Sequence, residues 1–147
     1  MKFFFFIYTL LSIHNLFGQT MQMKHQDLSQ KKMQEQNVEI ATLAAQAMSK
    51  NLPQKIDKYT LLQSVTHNNA TLIYTFLIND ATKSDTVIQK KDHSKMQKAV
   101  TQGVCQSSKR FLQAGINISY IYKSAKSKKL LFRFDITKDA CNYSAIK

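Results

Sequence analysis

Glycine and proline are scarce in this chain: three and one in 147 residues. That excludes collagen-like sequence and Pro- or Gly-rich linkers. With no two glycines close together, it also leaves no glycine loop of the kind that cradles phosphate. Arginine is nearly absent, at two residues, although the formal net charge is +12 and the pI is near 9.8. A basic balance suits nucleic acid, an anionic membrane surface or an acidic partner. Here the lysines are scattered, from Lys31 and Lys32 through Lys90 and Lys91 to the Lys126–Lys129 run, and arginine, the usual reader of base edges, hardly contributes. The charge therefore reads as a generic basic surface, with no nucleic-acid partner.

Acidic residues are few as well, nine in all. Asp57, Asp80, Asp85, Asp92 and Asp139 fall near element ends, where caps and turns account for them. Of the histidines beyond the opening apolar run, His25 lies in a leader, His67 in a turn and His93 just before a helix. None has a carboxylate and a nucleophile at a recognisable spacing. The sequence thus predicts no catalytic residue, no metal and no cofactor, and the chain is not read as an enzyme. Three Asn-x-Ser/Thr triplets, at Asn69, Asn117 and Asn142, read as chance.

What the chain does have is globular: 44% hydrophobic and 20% charged residues, enough for one modest core. Met1-Lys2 is followed by the apolar run FFFFIYTLLSIHNLF, residues 3–17. This run is too short and too interrupted for a comfortable membrane span. It has the form of a cleavable signal peptide over 1–18, with Gly18 at the cut, so export to the periplasm is expected and secretion is the alternative. No cysteine follows the run as a lipidation site. Residues 19–36, rich in Gln, Lys and Met, read as a flexible leader, and 37–147 as the folded domain.

Cys105 and Cys141 are the only cysteines. In an exported chain, an oxidising compartment favours a bridge between them. A zinc site needs about four ligands, and Cys105, Cys141, His67 and His93 show no paired spacing. A catalytic thiolate needs a histidine partner.

Along the domain, Ile40, Leu43, Ala44, Ala47 and Met48 recur at helical spacing and predict the core face of a first helix. This helix starts between Leu28 and Glu35 and stops before Pro53. Alternation over 59–66 and 71–78, around His67-Asn68-Asn69, predicts a hairpin, and Thr86–Ile88 a short further strand. A second helix is capped by Asp92 or Ser94, with Gln97 completing a capping box in the second case. Its core face carries Met96, Ala99, Val100, Gly103 and Val104, and Gly115 stops the helical stretch. A second hairpin uses Ile116–Tyr122 and Leu130–Ile136 around the lysine-rich turn. The expected fold is α+β: a small antiparallel sheet of four to five strands in the order α-ββ-α-ββ, with helices packed on it and one disulfide. Most of the strand aromatics, Tyr74, Phe76, Tyr120, Tyr122, Phe132 and Phe134, belong to the core, and a minority line a groove suited to an amphipathic partner helix.

AMSKNLPQKIDKYTLLQSV resembles the helix-to-strand junction of the AspS-type (GspS-beta) pilotins of type II secretion. VCQSSKRFLQAGINISYIY and the later DITKDAC are similar to the second helix, the following strand and the terminal cysteine of that family. The resemblance covers roughly residues 41–142. It implies a sheet flanked by helices, a Cys105–Cys141 disulfide, and a periplasmic adaptor or chaperone that binds a helical segment of a secretin or another secretion-system component. Association with the outer membrane would come through that partner. Those pilotins carry a lipid-bearing cysteine at the mature start, which this sequence does not show, so the expectation is a non-lipidated relative. The other expectations kept open are a secreted effector or inhibitor and a small exported enzyme. The groove is expected between the first helix and the sheet, and its lining residues are left unassigned.

Overall fold

The computed structural model describes residues 14–143, with side chains from residue 29 onward. Most of the signal-peptide reading lies outside these residues. The chain divides into two compact units at Gln36/Asn37. The second unit holds the C-terminal part of α1 (His14–Ser49), β1 (Gln54–Lys55), β2 (Thr60–Asn68) and β3 (Thr71–Ile78). Then come α2 (Asp85–Lys90), α3 (Ser94–Ser107), α4 (Lys109–Ala114), β4 (Asn117–Ser124), β5 (Leu130–Ile136) and a 3₁₀ turn at Lys138–Ala140. α1 begins well before the predicted start and runs through residues 19–36, the stretch read as a leader. No helix among the described residues is long and apolar enough to cross a membrane.

The architecture is α+β: one five-stranded sheet in the order β1-β2-β3-β4-β5, with helices and a Cys105–Cys141 disulfide. Both predicted hairpins form and are antiparallel. The β2–β3 turn is tight because Asn69 takes a positive φ of 48°, a conformation that asparagine tolerates and β-branched residues do not. The sheet as a whole is mixed, however, since β3 and β4 run parallel, with Leu72 opposite Ile118 and Phe76 opposite Tyr122. A parallel join needs a crossover, and α2, α3 and α4 supply it between Ile78 and Asn117. Thr86–Ile88, expected as a strand, is the middle of α2: Ser84 accepts from the Val87 amide at 3.3 Å and starts a helix there.

Strand alternation sends Leu72, Tyr74, Phe76 and Ile78 of β3, Ile118, Tyr120 and Tyr122 of β4, and Phe132, Phe134 and Ile136 of β5 to one face. The helices meet that face with Val104 and Cys105 of α3, Leu112 of α4, and Ala41 and Ala45 of α1. This corrects part of the predicted face of the first helix, of which Ala44 and Met48 pack against the core as expected. Ile40 and Leu43 are 42% and 59% exposed, while Ala41 is fully buried. Only small side chains let a helix sit close on a sheet, and the alanine stripe is the one used. In α3, Val100 and Val104 pack inward as expected, whereas Met96, Ala99 and Gly103 are exposed. The predicted cap is also different: the N-cap is His93 without a side-chain bond, and Asp92 instead accepts from the amide and hydroxyl of Ser94. Gly115 ends α4 as expected, at φ 91°.

Candidate functional site

Where α1 stops, its last residue, Ser49, donates to the Val65 carbonyl at 2.8 Å, and Met48 accepts from the Tyr74 hydroxyl at 3.1 Å. Further along β3, toward Ile78, the aromatic face of the sheet runs past the helix. Ring contacts continue across the strands from there. Phe76 stacks on Tyr122 at 4.8 Å, Tyr122 on Phe132 at 4.4 Å, and Phe132 on His93 at 3.9 Å. Burial pushes the Tyr74 hydroxyl up to about 12 and raises Tyr122 further, so both stay neutral at physiological pH. His93, expected as a solvated residue before a helix, is half-buried and extends this floor. His67, expected in a turn, lies on β2 with Nε2 3.2 Å from the Thr42 hydroxyl.

The exposed end of the aromatic face opens into a hollow of about 920 Å³. Its apolar lining comes from Tyr59, Ile78, Val87, Ile88, Met96 and Phe132. One wall is α2, which has no buried residue of its own. It is held to the β4–β5 hairpin by two side-chain bonds: Ser127 Oγ donates to Asp85 at 2.5 Å, and Gln89 Nε2 donates to the Leu130 carbonyl at 2.7 Å. Lys58, Lys83, Lys90 and Lys91 stand on the rim. The first helix, expected as a wall, contributes nothing to this lining.

Two carboxylates share the hollow, and both are tied to their own turns. Asp57 accepts from the amides of Tyr59 and Thr60 at 2.8 and 2.9 Å, and the Tyr59 bond is the main cause of its lowered pKa. Asp80 accepts from the Thr82 hydroxyl at 2.6 Å and pairs with Lys83 at 2.9 Å, which holds it down at about 2. The rim is therefore dominated by lysine ammonium groups over an apolar floor. That chemistry takes up an apolar surface with acidic flanks. Among the described residues no group of three or more His, Cys, Asp or Glu is placed to hold a metal ion.

A second hollow, of about 710 Å³, lies beside the disulfide. Ser94, Gln97, Thr101 and Gln102 of α3 line it together with Ala140 and Cys141, and no large aliphatic or aromatic side chain lines it. The disulfide joins α3 to the residue after the 3₁₀ turn, with a Cα–Cα distance of 5.6 Å. The groove itself was not readable from sequence because its apolar residues come from separate elements. A weak signal was present in the apolar pair Val87-Ile88, set between Lys83 and Lys90.

A family model described as a domain of unknown function, DUF8479, matches residues 33–132. No curated protein matches the sequence. Among solved structures, a Pseudomonas aeruginosa protein described as a candidate secreted protein is 14% identical. It covers 75% of this chain and 96% of its own, with a TM-score of 0.67. The pilotin EpsS of the Vibrio vulnificus type 2 secretion system is 12% identical over 76% of this chain and 97% of its own, with a TM-score of 0.63. The type II secretion pilotin AspS of Vibrio cholerae is 20% identical over 77% of this chain and 99% of its own, with a TM-score of 0.60. At these identities the likeness is one of fold.

Proposed function

We propose, from the premise that the chain belongs to the DUF8479 family and shares its fold with two type II secretion pilotins, that it is a non-catalytic, pilotin-like adaptor. It is exported by a signal peptide in residues 1–18 and works in the periplasm. Its partner is an amphipathic helical segment of a secretin or another secretion-system component, laid into the groove between α2, the start of α3 and the sheet. The observation that carries this reading is the groove: Val87 and Met96 stand exposed over Phe132, and the rim above them is basic. A helix docked there would bury two or three apolar side chains and set acidic residues against Lys58, Lys90 and Lys91.

Pull-down of a secretin subunit by the full chain tests this. Deleting the secretin's C-terminal helix should abolish capture. Val87→Asp should weaken capture of the intact secretin by at least about tenfold, because a carboxylate would replace an apolar contact. Capture that persists without the helix rejects the reading.

The Pseudomonas aeruginosa neighbour described as a candidate secreted protein supports a second reading, a secreted effector or inhibitor. Fractionation separates the two, because the adaptor stays in the periplasm and the effector reaches the medium.

A further inference from the structure

One end of the sheet differs in chemistry from the other. The β1–β2 loop, the segment from β3 to α3, and the β4–β5 turn all lie at the end where β3 and β4 finish. Backbone bonds join them into one cluster. The Asn79 amide donates to the Tyr59 carbonyl, and the Ala125 amide to the Ile78 carbonyl, both at 2.8 Å. Ser127 then reaches Asp85 at the start of α2. The cluster carries Lys126, Lys128 and Lys129 on the β4–β5 turn, Lys55 and Lys58 on the β1–β2 side, and Lys83, Lys90 and Lys91 around α2, all exposed. Against these eight lysines stand four aspartates, Asp57, Asp80, Asp85 and Asp92, each held by hydrogen bonds within its own loop or to the neighbouring one. The loops at the opposite end, 69–70, 115–116 and 137–140, contain one lysine and one aspartate.

The basic end also exposes apolar side chains. Val87 is 56% exposed, Ile56 51%, Leu130 50% and Tyr59 43%. Leu130 directly follows the turn lysines. Basic groups interleaved with exposed aliphatic and aromatic side chains match the boundary of an anionic bilayer, where ammonium groups meet headgroups and apolar tips enter the acyl edge. A phosphate backbone offers nothing to the aliphatic side chains, and neither arginine belongs to this cluster: Arg110 is on α4 and Arg133 pairs with Asp135 on β5.

We infer that this end of the domain docks on the surface of an acidic phospholipid membrane, with Lys126, Lys128 and Lys129 making the main electrostatic contact and Leu130 and Ile56 entering the interface. The inference does not rest on the groove's occupant. A protein docked this way would present the groove, whose rim shares Lys58, Lys83, Lys90 and Lys91 with the surface, close to the membrane.

The test is flotation of the full chain with vesicles of phosphatidylglycerol and phosphatidylcholine in equal parts, compared with phosphatidylcholine alone. Binding by the N-terminal run, which carries Lys2, is the same in parent and variants, so the comparison between them isolates the basic end. The expected result is an excess on the acidic vesicles that disappears near 0.5 M salt, since screening shortens the reach of the charges. Changing Lys126, Lys128 and Lys129 together to Gln should reduce that excess by about a hundredfold, at roughly fivefold per lysine. The same three changed to Arg should retain it, and Leu130→Ser should lower it. Secretin capture should be unaffected by the Gln variant, so failure here and failure of the adaptor reading give different results. Equal partition to both vesicles overturns the inference, as does an excess undiminished in the Gln variant. Binding of a duplex oligonucleotide without any vesicle excess would overturn it in favour of a nucleic-acid surface.

Discussion

Asn37 shows how much one side chain decides in a small domain. It is 8% exposed, at the first position of the second compact unit, and its Nδ2 donates to the Ala114 carbonyl at 2.7 Å. A Cβ added to the adjacent Gly115 would sit 3.4 Å from the same nitrogen, so α1 meets the end of α4 through a donor and a glycine in close approach. Removing the donor leaves a carbonyl at the helix end without its partner. Asn37→Ala should cost about 1–2 kcal/mol. Asn37→Asp, nearly the same size, should cost more, because it sets a partly buried carboxylate against a carbonyl. Urea midpoints of the two variants check this, and an Asp variant as stable as the parent would remove the donor argument. The same scale explains the misread helix face. Between Ile40 and Met48 apolar residues occupy both sides of α1, so periodicity alone does not choose a face. The choice falls to side-chain size, which favours Ala41 and Ala45 once a sheet lies underneath.

Among the elements, the loop cluster at the basic end depends on ionised aspartates. Asp80 is held down mainly by the Thr82 hydroxyl and Lys83, Asp57 by the Tyr59 amide, Asp85 by Ser127 and Asp92 by the Ser94 amide. Each is lowered in the folded chain. Its contribution is therefore complete above the ordinary carboxylate value of 3.8 and is lost as pH falls through the folded value, about 2 for Asp80. Between about pH 4 and pH 2 the amides of Tyr59, Thr60, Thr82 and Ser94 should shift and lose protection before the strand centres do, as followed by amide NMR spectra. A midpoint at or above 3.8 for the Asp80 turn would contradict the bonding described. Much of this scale was legible in sequence, because turns and caps are local: aspartates at element ends, Gly115 as a helix stop and the lysine turn were all expected. α2 was not, since six residues holding only Val87 and Ile88 as large apolar side chains carry no period, and the Ser84 cap decides between strand and helix.

At the level of the whole molecule, the parallel join of β3 to β4 is the feature the chain conceals. Alternation identifies strands, and hairpin turns pair neighbours, but nothing local tells whether β4 meets β3 head to head or head to tail. That depends on how α3 and α4 cross the sheet. The groove is concealed for the same reason, because its floor and walls become neighbours only through that crossover. The disulfide was legible, and its placement shows what it does for the crossover. Cys105 and Cys141 are 36 residues apart, and the loop they close holds the end of α3, all of α4, β4 and β5, and the 3₁₀ turn. Both cysteines belong to the core cluster, so the bridge fixes the crossover helix to the chain that leaves the far strand. Closing such a loop restricts the unfolded chain by about 4 kcal/mol in the chain-entropy model. The Cys105→Ala/Cys141→Ala variant should still fold, because β3, β4 and β5 keep their ladders, but its thermal midpoint should fall by about 10–15 °C. Reduction of the parent protein by dithiothreitol should lower the midpoint similarly. A variant that melts with the parent would mean that core packing alone holds α3 on the sheet. A variant that loses its cooperative transition would mean that the crossover does not form without the bridge.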